Sequence, residues 1–369
     1  MNINVCYVVN SVSETSVPAT IATALVDYEN ISVDILAWFN AEPFEGDDRV
    51  GVTCLQAPST TLGIGSPTLT EARNHLHNYD VVQTHHNHSG SFARLIGHTL
   101  DTPMVSREGN VRQGFTRKGR IANGLTNPLV DCVVPNSRAV YESFTWWERQ
   151  LLNNNQIRII PNGVDLERLD RATGSDYSIR DEFAIPTDSI VVGTASAIIE
   201  QKGIGTLIRA IDTANDSTEQ RLDLVIAGDG PLRKRMEQLT SRLGISEFIH
   251  FAGMVERNHV YRLLGEFDIY AMPSRWEGFA NAAVEALGAG NPCVFSDIDP
   301  FLYPYKNVAQ FHTVDDDEEL ARILSELAQH PDQRDFYSRR GRELVEKKYR
   351  LEHIASQYAE LYRDIVQQR

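Results

Sequence analysis

The chain has 369 residues, 42% of them apolar and 8% aromatic: too long for one usual core, with a composition ordinary for a globular protein. A formal net charge of −15 argues against general nucleic-acid binding through phosphate neutralisation. No apolar run reaches membrane-spanning length and the N-terminus has no basic stretch before Asp27 and Glu29, so a cytoplasmic location is expected, with peripheral membrane contact left open.

Strand-like apolar runs alternate with helical patterns throughout, which predicts an α/β protein with parallel sheets built from strand–helix–strand units. In the first half, strands are expected near 2–10, 31–38, 79–84, 103–106, 131–135 and 157–160. Helices are expected near 18–27, 67–77, 89–100, 117–129 and 137–153. The second half repeats the alternation, with strands near 189–194, 222–227, 248–252, 267–272, 292–295 and 309–312. Its helices are expected near 203–214, 231–243, 257–265, 280–288, 316–329, 332–347 and 351–367.

A polar segment from Pro161 to Asp188, carrying Gly163, Gly174 and Pro186, has no convincing strand and marks the divide. The expected organisation is residues 1–165 as one α/β domain, 166–350 as a second, and 351–369 as a terminal helix. Ile354, Tyr358, Leu361, Tyr362 and Ile365 recur at helical spacing along that helix, so it needs a packing surface. The four cysteines form no C-x-x-C pair. Cys6, Cys132 and Cys293 sit in or beside apolar runs and read as reduced, buried thiols, with Cys54 apart from them. Arginine dominates the 35 basic residues, a balance that suits either a high-salt cytosol or an ordinary acidic protein.

The most informative stretch is Pro273-Ser274-Arg275-Trp276-Glu277-Gly278-Phe279-Ala280-Asn281-Ala282-Ala283-Val284-Glu285. It follows the apolar run from Phe267 to Met272 and leads into an Ala- and Leu-rich helix. Glu277 then lies in the loop at a strand's C-terminal end, and Glu285 about two turns into the next helix. Two carboxylates at that place, beside Gly278 and the N–H groups of a helix start, suit a ligand with hydroxyls and phosphate. The plainer alternative is a surface acid and a helix salt-bridge partner.

The stretch resembles the E-x7-E motif of retaining glycosyltransferases with two Rossmann-like domains facing across a cleft (the GT-B architecture), family 4 in particular. Pro161-Asn162-Gly163-Val164-Asp165 matches that family's interdomain P-N-G-V-D, with Asp165 expected to tie the loop down. Ala195 to Ala210, with Lys202 and Gly203, is similar to its G-R-x4-K-G segment, and Ala227-Gly228-Asp229-Gly230-Pro231-Leu232 to its A-G-D-G-P-L. Phe251-Ala252-Gly253-Met254-Val255 resembles the segment whose backbone holds the nucleotide base.

The resemblance implies a nucleoside diphosphate sugar as donor and no permanently bound cofactor or metal. Lys202 would neutralise the departing diphosphate. Glu277 would bind donor-sugar hydroxyls and Glu285 the ribose. Gly228, Gly253 and Met254 would contact the nucleotide, while Gly278, Phe279, Ala280 and Asn281 would hold phosphate or sugar oxygens. The implied reaction is front-side attack, in which the diphosphate helps to deprotonate the acceptor. The terminal helix would cross back to the N-terminal domain. The acidic run Asp315 to Glu319 reads as a helix start rather than a metal motif.

The N-terminal half departs from the pattern. The loop from Asn10 to Pro18 lacks the paired glycines, and Ala197 stands where the family has arginine, with Arg275 as a candidate substitute. Asp80 to His88 resembles D-V-V-H-x-H; His86 or His88 could touch donor or acceptor hydroxyls, or bond backbone as loop histidines. No histidine falls in Val105 to Arg112. Glu108, Asn110 and Arg112 are the candidates to replace it, Glu108 in a catalytic part and the others on substrate. Arg107, Arg112, Arg117, Lys118 and Arg120 suit either an anionic or lipid-linked acceptor or pairing with neighbouring acids. The implied function is a retaining, metal-independent glycosyltransferase of glycan, glycolipid or surface-polysaccharide assembly. The alternative is a non-catalytic subunit that binds a nucleotide-sugar or glycan. No G-x-G-x-x-G follows the first strand, which argues against an oxidoreductase.

Overall fold

Ile3–Val12 (β1) buries Val5 and Val9 on one face and Cys6 and Val8 on the other, as a parallel strand covered by helices on both sides must. The computed structural model to which it belongs describes residues 2–13, 16–42, 47–58, 66–85, 87–152 and 157–368. The chain divides into two units. Unit 1 takes the residues up to Gly163 and those from Leu351 onward; unit 2 spans Val164–Arg350.

In unit 1, β1 is followed by α1 (Val17–Leu25), β2 (Ile31–Ala41), β3 (Gly51–Cys54), α2 (Ser66–Leu76) and β4 (Val81–Thr84). Next come α3 (Asn87–Leu100), β5 (Met104–Glu108), α4 (Arg117–Thr126), β6 (Cys132–Pro135), α5 (Arg138–Glu142) and α6 (Trp146–Leu151). The sheet is parallel throughout, in the order β3-β2-β1-β4-β5-β6.

Unit 2 opens with α7 (Leu166–Thr173) and α8 (Ile179–Phe183), then β7 (Ile190–Ala195), α9 (Ile204–Ser217), β8 (Leu222–Ala227) and α10 (Arg233–Leu243). It continues through β9 (Ile249–Gly253), α11 (Arg257–Glu266), β10 (Ile269–Met272), α12 (Asn281–Gly288) and β11 (Cys293–Ser296). It ends with α13 (Asp299–Tyr305), β12 (Gln310–His312), α14 (Asp317–Gln329) and α15 (Pro331–Lys348). Its sheet is also parallel, ordered β12-β11-β10-β7-β8-β9. Counted from its own first strand, each sheet has the doubly wound order 3-2-1-4-5-6. Strand order reverses between β1 and β4 and between β7 and β10. In open sheets of this kind, ligands bind beyond the C-terminal ends of the strands at that reversal.

The terminal helix, α16 (Leu351–Gln367), packs into unit 1: Ile354, Tyr358, Leu361, Tyr362 and Ile365 join the core of β1, β2 and α1. Tyr362 donates its hydroxyl proton to Gln83 Oε1 at 2.8 Å and accepts from the Tyr7 hydroxyl at 2.9 Å. Side chains of this size contribute about 1.5–3 kcal/mol each when fully buried.

Some expected elements differ. The helix expected over 137–153 breaks into α5 and α6, because Thr145 starts a new helix by donating its N–H and hydroxyl to Glu148 at 2.8 and 2.6 Å. The strand near 157–160 reduces to one bridge, Ile157 to Val133. The dividing segment holds α7 and α8, with Asp165 capping α7 by accepting from Arg168 N at 2.8 Å. A Cβ at Gly163 would lie 2.7 Å from Leu351 Cα, so glycine is needed where the chain leaves and re-enters unit 1. Cys6, Cys132 and Cys293 are free and buried, and Cys54 is free and half-buried. Among the described residues, no helix is long and apolar enough to cross a membrane.

Candidate functional site

The loops that leave β7 and β10 meet where the strand order reverses. The first turns through a 3-10 segment, Glu200–Lys202, and ends at Gly203 with φ +63°. A Cβ there would stand 2.0 Å from the Pro273 carbonyl oxygen, so only glycine lets this turn press on the loop after β10. The contact brings Lys202 Nζ to Glu277 Oε1 at 2.5 Å, with side chains 16% and 6% exposed. Ser274 Oγ donates to the same oxygen at 2.8 Å. Gln201 Nε2 donates to Trp276 O at 2.8 Å and reaches Glu277 Oε2 at 3.4 Å.

The Arg275 side chain bonds neither Lys202 nor Glu277, although its backbone N–H donates to Gln201 O at 2.8 Å. Its guanidinium bonds Asp315 at 2.8 and 3.0 Å and also Glu200, so it does not fill the place of the cation missing at Ala197. Asp316, next in the acidic run, caps α14 by accepting from Glu319 N at 2.8 Å. Among the described residues, no three His, Cys, Asp or Glu side chains gather as a metal-holding group.

Helix α12 starts from Ala280, whose φ of 56° is left-handed and costs a non-glycine residue about 1–3 kcal/mol. Just before it, the Phe279 ring packs edge-on against Tyr349 at 5.9 Å. Glu285, 4% exposed, pairs with Arg257, which donates from Nε to the Tyr261 hydroxyl at 3.1 Å. Burial pushes the Glu285 carboxyl above its ordinary range, against the pull of Arg257. Sequence reasoning missed Arg257, which reaches Glu285 from α11, 28 positions away, with no local pattern to announce it.

Gly228 has φ +147°, and a Cβ on it would lie 2.0 Å from Ser196 O; one on Gly230 would lie 2.5 Å from Ile198 O. The loop after β7 zips onto this turn, Ser196 N donating to Ala227 O and Ile198 N to Asp229 O, both at 2.9 Å. Close approach of the chain's own backbone therefore already demands these glycines, whatever a ligand requires. Gly253 (φ +73°) bridges to Gly228, and Met254 beside it is exposed.

In unit 1, His86 lies outside the described residues. His88 packs its ring 5.4 Å from both Phe39 and Phe92, and burial lowers its pKa. His85, which the sequence reading passed over, is buried, bonded to Gln83 Nε2 at 2.9 Å and tilted on the Tyr7 ring at 4.7 Å.

Glu108 and Arg112 need correction, because both are buried and already bonded. Glu108 accepts from Arg112 at 3.0 Å, Ser106 at 3.3 Å, Asn123 at 2.7 Å and Asn127 at 3.1 Å. Burial alone would raise its carboxyl, but Arg112, Arg94 and the two amides hold it below the ordinary range. Arg112 also bonds Glu148 at 2.8 Å and covers the Phe144 ring at 4.1 Å. This is a buried structural network, not an open place for substrate. Arg107 is likewise buried, on Tyr358 and Asn162. Only Asn110, Arg117 and Lys118 of the candidates in this stretch are exposed.

Residues 17–168 match the model for glycosyltransferase family 4, and 176–344 the model for glycosyl transferases group 1. The lipopolysaccharide core biosynthesis glycosyltransferase LpsD of Rhizobium meliloti is 26% identical over 63% of this chain and 62% of its own length. The N-acetylgalactosamine-N,N'-diacetylbacillosaminyl-diphospho-undecaprenol 4-alpha-N-acetylgalactosaminyltransferase of Campylobacter jejuni is 26% identical over 56% of this chain and 52% of its own. The alignments thus span less than two thirds of either relative. Anabaena Alr3699/HepE, solved in complex with UDP, superposes with a TM-score of 0.79 at 18% identity, covering 99% of this chain and all of that one. That likeness shows the two-domain Rossmann-like GT-B fold.

Proposed function

We propose that this member of glycosyltransferase family 4, with a glycosyl transferases group 1 second half, moves a sugar from a nucleoside diphosphate donor to an acceptor hydroxyl with retention at the anomeric carbon. The Lys202–Glu277 pair at the strand-order reversal carries the reading. An entering diphosphate competes with Glu277 for the Lys202 ammonium, and the released carboxylate oxygen accepts a sugar hydroxyl. The bond from the anomeric carbon to the phosphate oxygen breaks, and the acceptor oxygen bonds on the same face. The acceptor's proton passes to the departing diphosphate. Lys202 and the N–H groups that open α12 offset the charge that develops there. Glu285 takes the ribose hydroxyls, and the nucleotide lies along Gly228, Gly253 and Met254. Gly278, Phe279, Ala280 and Asn281 receive the phosphate and sugar oxygens.

The acceptor is an anionic or lipid-linked carbohydrate met on unit 1 at the cytoplasmic membrane surface. Arg117 and Lys118 are exposed at the start of α4, and Ile121 and Leu125, 56% and 60% exposed, share a face with Arg117. A face that is both basic and apolar suits the headgroup region of an anionic bilayer. The acceptor named for the Campylobacter jejuni relative, a diphospho-undecaprenol glycan, supports the same reading.

The absence of a cationic side chain at Ala197 and the commitment of Arg275 to Asp315 and Glu200 favour a second reading, a subunit that binds donor without turnover. Incubating the purified chain with a panel of nucleoside diphosphate sugars separates the two. Nucleotide release that disappears in both Lys202→Met and Glu277→Gln supports the enzyme. Donor binding with no release, with or without acceptor glycans, assigns the subunit.

A further inference from the structure

Behind the turn that carries Lys202 lies a cavity of about 160 Å³, between α9 and α10. It belongs to the face of the second sheet whose core includes Leu207, Met236 and Leu324, whereas α12 and Glu285 lie on the opposite face. Ile198, Met236 and Leu239 give it an apolar lining, and four arginines complete it: Arg209, Arg235, Arg242 and Arg275. Two of these charges are answered, Arg209 by Asp317 at 2.9 Å and Arg275 by Asp315 and Glu200. Arg235 and Arg242 have no acidic partner among the described residues; Arg242 donates only to Gln238 O at 3.3 Å. They stand on one face of α10, either side of Leu239. Two unanswered arginines are notable in a chain of net charge −15. The start of α9 forms another wall, and its Ile204 and Gly205 N–H groups have no acceptor within the helix.

We infer that this cavity is a second anion site, for a small phosphomonoester such as a sugar phosphate, separate from the donor site. Guanidinium groups match phosphate oxygens in pairs. The apolar lining takes the carbon skeleton, and a cavity of about this volume admits one ring-sized molecule. The ligand would be sensed at the donor site, because Glu200 and Gly203 line the cavity while Gln201 and Lys202, between them, hold Glu277.

The test is calorimetric titration of the full chain at low ionic strength with inorganic phosphate and with glucose 6-phosphate. Both should bind at one saturable site, glucose 6-phosphate the tighter, and glucose should not bind. Changing Arg235 and Arg242 together to Gln should weaken binding at least tenfold, roughly the effect of one charge-assisted bond. Both side chains are exposed, so the far-UV circular dichroism and Tm should be unchanged. Lys202→Met should leave the binding intact. Absence of saturable binding by either phosphate, or binding that the double variant leaves untouched, overturns the proposal. Loss of binding in Lys202→Met overturns it too, by assigning the phosphate to the donor site. None of these readouts depends on turnover, so failure here is distinguishable from failure of the proposed transfer.

Discussion

Lys202 and Glu277 stand 75 positions apart in the chain, yet their charged atoms meet at 2.5 Å in loops that flank the strand-order reversal of unit 2. If Lys202 meets the leaving group, Lys202→Met should lower donor turnover by about 10²–10³-fold. Lys202→Arg should recover part of it, because a planar guanidinium cannot occupy the same point. Lys202→Met also strands a buried carboxylate, at a cost of about 1–3 kcal/mol. Adding Glu277→Gln should return that stability without returning activity. Thermal melts and nucleotide release on the same three proteins check all of this.

Gly203→Ala tests the turn itself. The new methyl would meet the Pro273 carbonyl in a backbone conformation that alanine resists, so the turn must move and carry Lys202 with it. Turnover should fall about as far as in Lys202→Met. The ammonium is still present, so wild-type turnover in this variant would show that its placement does not matter.

Glu108 gives the opposite expectation. Removing it in Glu108→Ala leaves Arg94 buried with no carboxylate beside it and Arg112 with Glu148 alone, a loss of about 3–5 kcal/mol. Denaturant melts should show that loss, while nucleotide binding below the melting range stays at the wild-type level. A variant that kept its stability and lost activity would return Glu108 to the reacting groups.

Asp223, buried at the start of β8, controls the acid limb of stability. It accepts from Ser189 at 2.5 Å, Arg221 at 2.7 and 3.0 Å and His250 at 2.8 Å. Burial works against its charge, but those donors hold the carboxyl well below its ordinary range. With the folded pKa below the unfolded one, the unfolded chain binds more protons as pH falls. The contribution is therefore complete above about pH 4 and is lost on further acidification. Asp223→Asn should be less stable at neutral pH and should flatten the fall of Tm below about pH 4, measured by melts across that range.

Ala280→Gly should relieve the left-handed backbone at the start of α12 and stabilise unit 2 by about 1 kcal/mol. The same change loosens the turn that precedes the helix, so KM for donor should rise while Tm rises. A rise in Tm with KM unchanged would mean that the strain serves no ligand.

The sheets were legible because strands buried on both faces, such as Cys132–Pro135 and Ile269–Met272, read as unbroken apolar runs. β3 was not, since an edge strand of four residues with alternating exposure looks like loop. α13 was hidden by Pro300 and Pro304, and α8 is too short to show a period. In the site, Glu277 and Lys202 stood out as charged residues in glycine-bearing loops after strands. Of the two alternatives for Arg112, pairing with neighbouring acids holds, and Glu108 was misread for a physical reason: Arg94, Asn123, Asn127 and Glu148, which satisfy or surround them, come from three helices and a 3-10 turn. Such a network leaves no periodic or local mark.

Tyr358 and Tyr362 fill the heart of unit 1 from the far end of the chain, so translation delivers every residue of the second unit before the first can seal its own interior. Although nascent domains usually mature in the order they leave the ribosome, here the second is free to finish ahead of the first. In that interval the core that holds Val5, Tyr7 and Ala22 lacks the side chains the last helix supplies.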